Sequence, residues 1–132
     1  MGMIRILDDS FKATTDLSAA QYTPVKLGAK GFIAAAAAAT DPIFGILLNK
    51  PKAGDAAEVA IWGRHFAKVD GSGTAIAIGD LLGPNAAGTM LVKHATADNG
   101  VVARALDACT LSGGIIEVLL FAGLPTVFRT LT

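Results

Sequence analysis

The side chains with chemical reach in this chain are few and scattered. His65, His94 and Cys109 are its soft metal donors. A protein-held zinc or copper ion asks for several such ligands at workable spacing. Neither histidine has acidic neighbours, so no metal site is expected. A cysteine nucleophile needs a base beside it, but no histidine is near Cys109 in sequence, and Cys109 reads as a small apolar residue in the turn between two strands. Asp8 and Asp9 pair two carboxylates without a pocket, which does not make a general acid and base. The 15 glycines fall in neither the dinucleotide nor the phosphate-loop spacing, and Asp70-Gly-Ser-Gly73 reads as a hairpin turn. No catalytic residue and no cofactor are expected, and the chain is read as not an enzyme.

Binding chemistry is constrained by charge and hydropathy. Eleven basic residues balance eleven acidic ones and aromatics make up only 6%, so neither a phosphate-tracking surface nor a base-stacking platform is supported. Nucleic acid is not an expected partner. A single cysteine excludes an intrachain disulfide. Acids at positions 8 and 9 interrupt what would be the apolar core of a secretory signal. The stretch from Gly31 to Asn49 is long enough to span a bilayer, but Asp41-Pro42 breaks it and its first half is mostly alanine, so no membrane role is expected. With 52% hydrophobic and 17% charged residues and a mean hydropathy of +0.53, the chain carries more apolar surface than a lone monomer would hide. That surplus points to contacts between copies. Trp62 and Phe66, in Trp62-Gly-Arg-His-Phe66, and the tail residues Val127, Phe128 and Leu131 are the candidates. Trp62 reads equally as an interface anchor or as a core aromatic.

The elements that position these residues are short strands. They are expected at 22–27, 43–48, 57–62, 65–69, 90–93, 101–106 and 115–121, separated by turn chemistry such as Asp98-Asn-Gly and Ser112-Gly-Gly. The alanine run 34–39 is too short for a stable helix and favours a close-packed strand. The segment 73–82 could hold one helical turn before Gly79. Residues 1–21 read as an extended N-terminal arm with Ile4, Ile6, Phe11 and Leu17 as apolar anchors. Residues 22–123 form the β-rich domain, and 124–132 an apolar C-terminal tail. Segments 41–63 and 99–123 also match each other about 58 residues apart. With one residue inserted near Leu111, Gly54 falls on Gly113, Glu58 on Glu117 and Val59 on Val118. The fold expected is mainly β, a small barrel or sandwich of two pseudo-repeated halves.

Taken together, Asp16-Leu-Ser-Ala-Ala-Gln-Tyr-Thr-Pro-Val-Lys-Leu27, Asp41-Pro-Ile-Phe-Gly-Ile-Leu-Leu48, Ala57-Glu-Val-Ala-Ile-Trp-Gly63, Ala77-Ile-Gly-Asp-Leu-Leu82, Val102-Ala-Arg-Ala-Leu106 and Ile116-Glu-Val-Leu-Leu120 resemble the small capsid decoration, or cement, proteins of tailed bacteriophages. The resemblance spans about Phe11 to Phe121. It implies a barrel-like domain with an N-terminal arm that sits as a trimer on the outer capsid surface, bound to the major capsid protein. It also implies assembly in the host cytoplasm, no catalysis, and a role in holding the shell against genome pressure. The arm anchors Ile4, Ile6, Phe11 and Leu17 would then contact capsid. The alternative is a small β carrier or accessory domain modified on Lys93, because duplicated β-halves also occur in lipoyl and biotinyl carriers. Those carry their lysine at a hairpin tip, whereas Met90-Leu-Val-Lys-His94 reads as strand.

Overall fold

The computed structural model describes residues 10–39, 41–94 and 101–121. They form ten strands and no helix. The first five are β1 (Ser10–Ala13), β2 (Pro24–Leu27), β3 (Phe32–Ala35), β4 (Ile43–Leu47) and β5 (Ala56–Ala60). They close into a barrel in the order β1-β3-β2-β4-β5. The second five are β6 (Gly63–Asp70), β7 (Leu81–Pro84), β8 (Leu91–Lys93), β9 (Ala103–Ala105) and β10 (Ser112–Leu120). They close in the order β6-β8-β7-β9-β10.

Adding five to each strand number of the first barrel gives the second. The correspondence extends to direction, since β1 with β3 and β6 with β8 are the parallel pairs of their barrels. The repeat seen in sequence is therefore a duplicated fold. Gly54 and Gly113 both lie at φ 81°, and Val59 and Val118 both turn inward, at 1% and 0% exposure. The two glutamates sit one residue before them on β5 and β10.

Each barrel is narrow, so its interior is filled mainly by small and branched side chains. Ala13, Leu17, Val25, Ile33, Leu47, Ala57 and Val59 fill the first. The second cluster is larger, and it takes in Ala36, Ile43, Ile46 and Ala60 from the first barrel along with Val69, Leu82, Leu91, Val118 and Leu120. Ile46 and Leu47 are adjacent on β4 and both fully buried, yet they belong to different clusters. The wall between the barrels thus has two apolar faces. The Lys68 N–H donates across it to the Tyr22 carbonyl at 2.8 Å. Gly88 seals the joint, because a β-carbon there would stand 2.8 Å from the Ala36 carbonyl carbon.

Several sequence expectations need correction. The N-terminal arm does not reach Gln21. β1 pairs with β3 and β5, and Leu17 is 4% exposed inside the first barrel. Phe11 stacks T-shaped on Phe44 with centroids 5.3 Å apart. Neither Phe11 nor Leu17 is a free anchor, because closing the first barrel requires β1. Ile4 and Ile6 lie outside the described residues. The alanine run is strand only through Ala35, after which residues 36–39 turn. The Asp41 carboxylate holds that turn by accepting the Ala37 and Ala38 N–H groups at 2.7 and 3.1 Å. No helical turn precedes Gly79, where Ile76 bridges Cys109 and Asp80 accepts the Ala77 N–H at 2.8 Å. Asp70-Gly-Ser-Gly73 is not a hairpin, since the antiparallel partner of β6 is β10. It is a local turn in which Asp70 accepts the Ser72 N–H at 2.9 Å.

Candidate functional site

The longest ladder in the molecule runs from Gly63↔Leu120 to Asp70↔Ser112 between β6 and β10. Side chains alternate across a strand, so Ala67 and Val69 face Ile116, Val118 and Leu120 inside the barrel. Arg64, Phe66 and Lys68 share the outer face with Ile115, Glu117 and Leu119. In register, Leu119 lies opposite Arg64, Phe66 opposite Glu117 and Ile115 opposite Lys68. Three large apolar side chains on this face remain open to solvent: Phe66 at 52%, Ile115 at 50% and Leu119 at 41%. Trp62, just before β6, is 45% exposed. Tyr22 of the first barrel meets the Phe66 ring with centroids 6.3 Å apart, so the face continues toward the joint. Exposed apolar side chains grouped on one strand face make this the candidate interaction surface.

One ion pair orders the centre of the face. Arg64 donates to Glu117 twice, Nη2 to Oε1 at 2.9 Å and Nε to Oε2 at 3.1 Å. Both groups are open to water, so the pair adds little to stability. Its effect is positional, because the bidentate geometry fixes both side chains along the face. The hydrogen bonds from Arg64 hold the Glu117 carboxyl below its ordinary value of 4.5. A depressed carboxyl contributes stability that is complete above the ordinary glutamate range and is lost as pH falls through the folded value. Carbon-detected NMR titration should therefore find Glu117 titrating below 4.5 in the native chain and moving upward in Arg64→Gln. An unchanged midpoint in the variant would remove Arg64 as the cause.

The residues singled out in sequence are dispersed differently than expected. Trp62 and Phe66 are on or beside the face. Val127, Phe128 and Leu131 lie outside the described residues. Lys93 closes β8, with its ammonium 3.7 Å from the Asp80 carboxylate, and is not at a hairpin tip. The His65 ring nitrogen lies 3.0 Å from the Trp62 carbonyl oxygen. Cys109 is buried, its sulfur 3.4 Å from the Leu111 carbonyl oxygen. Among the described residues no three His, Cys, Asp or Glu side chains come together as a metal site. Clefts are found among the described residues. One of about 350 Å³ lies between the barrels over Ala20, Ala36 and Gly88, and one of about 430 Å³ lies beside Phe11, Lys12 and Lys30.

Sequence reasoning missed Arg64, Ile115, Glu117 and Leu119 as one surface. The signal was in Gly114-Ile-Ile-Glu-Val-Leu-Leu120, where both strand faces carry large apolar residues. One face must then meet something other than the barrel interior.

A solved structure shares this architecture. The crystal structure of the head fiber gp8.5 N base of bacteriophage phi29 aligns with a TM-score of 0.59, at 17% identity, over 87% of this chain and 93% of that one. The two share a fold. No protein-family model matches the chain, and no curated protein sequence matches it. The all-β, barrel-based expectation holds, with two barrels where one domain of two halves was read.

Proposed function

We propose that this chain is a structural protein of a phage virion that binds the outer surface of the capsid as a trimer and stabilises the shell against internal genome pressure. The observation that carries the reading is the double barrel. Its fold is shared with a phage head fiber base, and it presents an exposed apolar stripe on its longest ladder. The major capsid protein is the partner this reading requires, with assembly in the host cytoplasm and residence on the virion exterior. A trimer gripping several capsomers resists their separation by multivalent attachment, since each bound subunit raises the effective concentration of the next. Weak single contacts then suffice.

The N-terminal contact is assigned to residues 1–9, with Ile4 and Ile6 as anchors, because the strand Ser10–Ala13 is committed to the barrel. Deleting residues 1–9 should leave the unfolding midpoint unchanged and weaken co-sedimentation with purified expanded heads at least about ten-fold, as expected when one set of multivalent contacts is lost. Deleting through Gln21 should instead unfold the first barrel, since it removes β1 and Leu17. Full binding by the shorter deletion would take these residues out of the mechanism. Failure of the intact protein to sediment with either expanded or immature heads would overturn the capsid reading itself.

A further inference from the structure

We infer that the cleft beside Phe11, Lys12 and Lys30 is the open half of a barrel-to-barrel joint, and that it takes the second barrel of another copy of this chain through the turn from Ala77 to Asp80. This rests on the oligomeric reading above and supplies its contact. The first observation is that the molecule builds one cleft twice. Lys12 lies opposite Ala56 and Lys68 opposite Ile115, and Ala56 and Ile115 each stand two residues before the matched glutamates Glu58 and Glu117. On the parallel side Ala13 meets Ile33 and Val69 meets Leu91, which matches Phe32 with Met90. Lys12 and Phe32 line one cleft, and Lys68 and Met90 line the other.

The second observation is that one of the two is covered and the other is open. Ala19, Ala20, Thr23, Ala35 and Ala36 of the first barrel complete the cleft at Lys68 from across the joint, where the Lys68 N–H also reaches the Tyr22 carbonyl at 2.8 Å. Among the described residues, only those of the first barrel line the cleft at Lys12. Lys12 and Lys30 are exposed there.

The third observation identifies the cover. The segment of the first barrel that closes the internal joint has a counterpart in the second, bond for bond. The Thr23 N–H donates to the Ala20 carbonyl at 3.1 Å, and the Asp80 N–H to the Ala77 carbonyl at 3.1 Å. The Tyr22 N–H donates to Leu47 at 2.7 Å and the Gly79 N–H to Ala105 at 2.8 Å, while the Ala36 N–H donates to Pro24 at 3.2 Å and the His94 N–H to Leu81 at 2.9 Å. Tyr22 and Gly79 also share a positive φ, 68° and 93°. Ala77, Gly79, Asp80 and His94 therefore stand in the second barrel where Ala20, Tyr22, Thr23 and Ala36 stand in the first. This second covering turn is open, with Ile78 on it 70% exposed. It does not line the Lys12 cleft of its own chain, so the barrel that fits there belongs to another copy.

The chemistry of the two halves agrees. Where the internal joint places Thr23 and Lys68 on one cleft, the contact between copies places Asp80 with Lys12, and Lys30 lines the same cleft. The Asp80 carboxylate accepts the Ala77 N–H at 2.8 Å and stands 3.7 Å from the Lys93 ammonium. A carboxylate offers about four acceptor sites, so Asp80 can take Lys12 as well. The Lys12 N–H is committed to the Gly31 carbonyl at 3.0 Å, so the main-chain bond of the internal joint is not repeated and the copies meet through side chains. Cleft and turn are different surfaces, which makes the contact head-to-tail, the kind that closes into a ring when its rotation allows.

The test is disulfide trapping. Ala20, the counterpart of Ala77, shares its cleft with Gly88 and Thr89 of the turn between β7 and β8, and Lys30 lies in the matching turn between β2 and β3. In a Cys109→Ala background, Lys30→Cys and Ala77→Cys, both at exposed positions, are combined in one chain, which is oxidised and run on a denaturing gel without reductant. Interchain dimers and trimers are expected, and two chains carrying one cysteine each should give only the mixed dimer. A closed monomer band would overturn the inference by showing that the turn meets the cleft of its own chain. An unlinked chain whose native mass is still oligomeric would overturn this contact and leave the oligomer standing. A native mass of one chain for the unsubstituted protein would remove the oligomeric reading, and this contact with it. In a second arm, Lys12→Glu should weaken assembly at least about ten-fold, because like charges then meet across the contact. Asp80→Asn, which keeps an oxygen for the Ala77 N–H, should restore part of that loss in the same chain. Assembly that is indifferent to Lys12→Glu would also overturn the pairing.

Discussion

Ile46→Ala is expected to lower the unfolding free energy by about 2–5 kcal/mol, and to lower it for both barrels together. Ile46 is fully buried on β4. It belongs to the cluster that also holds Val69, Leu82, Leu91 and Leu120 of the second barrel. Shortening it leaves a void that neither barrel can close alone, since close-packed walls relax only in part. Urea unfolding followed by far-ultraviolet circular dichroism and by Trp62 fluorescence should give coincident transitions at a lowered midpoint. Two resolved transitions would mean that the barrels unfold independently, and that the shared cluster does not couple them. Leu47→Ala makes the comparison sharp. It removes a side chain of similar size from the interior of the first barrel alone, with a cost in the same range.

Gly88→Ala should strongly destabilise the joint between the barrels. Gly88 has φ +72°, and a β-carbon on it would approach the Ala36 carbonyl carbon and oxygen at 2.8 and 2.9 Å and the Ala37 nitrogen at 2.9 Å. The left-handed backbone costs an L-residue about 1–2 kcal/mol, and forcing a methyl into filled space costs about 1–3 kcal/mol more. The expected total is about 2–5 kcal/mol, because the obstructing atoms are main chain and cannot swing aside. Gly54→Ala is the control. Gly54 has φ +81° with nothing within 4 Å of the added carbon, so only the backbone term of about 1–2 kcal/mol applies. Equal midpoints for the two variants in denaturant titration would show that the close approach at Gly88 constrains nothing.

The duplication was legible because its marks are local. A glycine forced to positive φ, an acid on the outer strand face and a valine turned inward recur at Gly54, Glu58 and Val59 and again at Gly113, Glu117 and Val118. Most strands were legible for a similar reason, since short apolar runs are bounded by glycine, proline and asparagine. β1 was not, because its four residues carry no sustained alternation and gain their place from β3 and β5, which lie far along the chain. β7 was missed because Leu81-Leu-Gly-Pro84 looks like the start of a turn, and its ladder comes from β8 and β9. The split into two barrels was likewise hidden. Nothing local says that Ile46 and Leu47, neighbours of similar character, point into different interiors. The outer face was half legible, through Trp62 and Phe66. Its β10 contribution depends on a register that pairs residues about fifty positions apart, such as Phe66 with Glu117.

Closure of both sheets has a bearing on how copies of so apolar a chain could meet. A sheet that ends in an unpaired strand offers a template on which further strands add, the step by which amyloid grows. Here each barrel returns to its own first strand, although β6 meets β8 at the single pair Val69↔Leu91, so little main chain is left open to such addition. Contact between copies would then run chiefly through side chains, which can be matched or mismatched residue by residue, and would be selective where main-chain addition is indiscriminate.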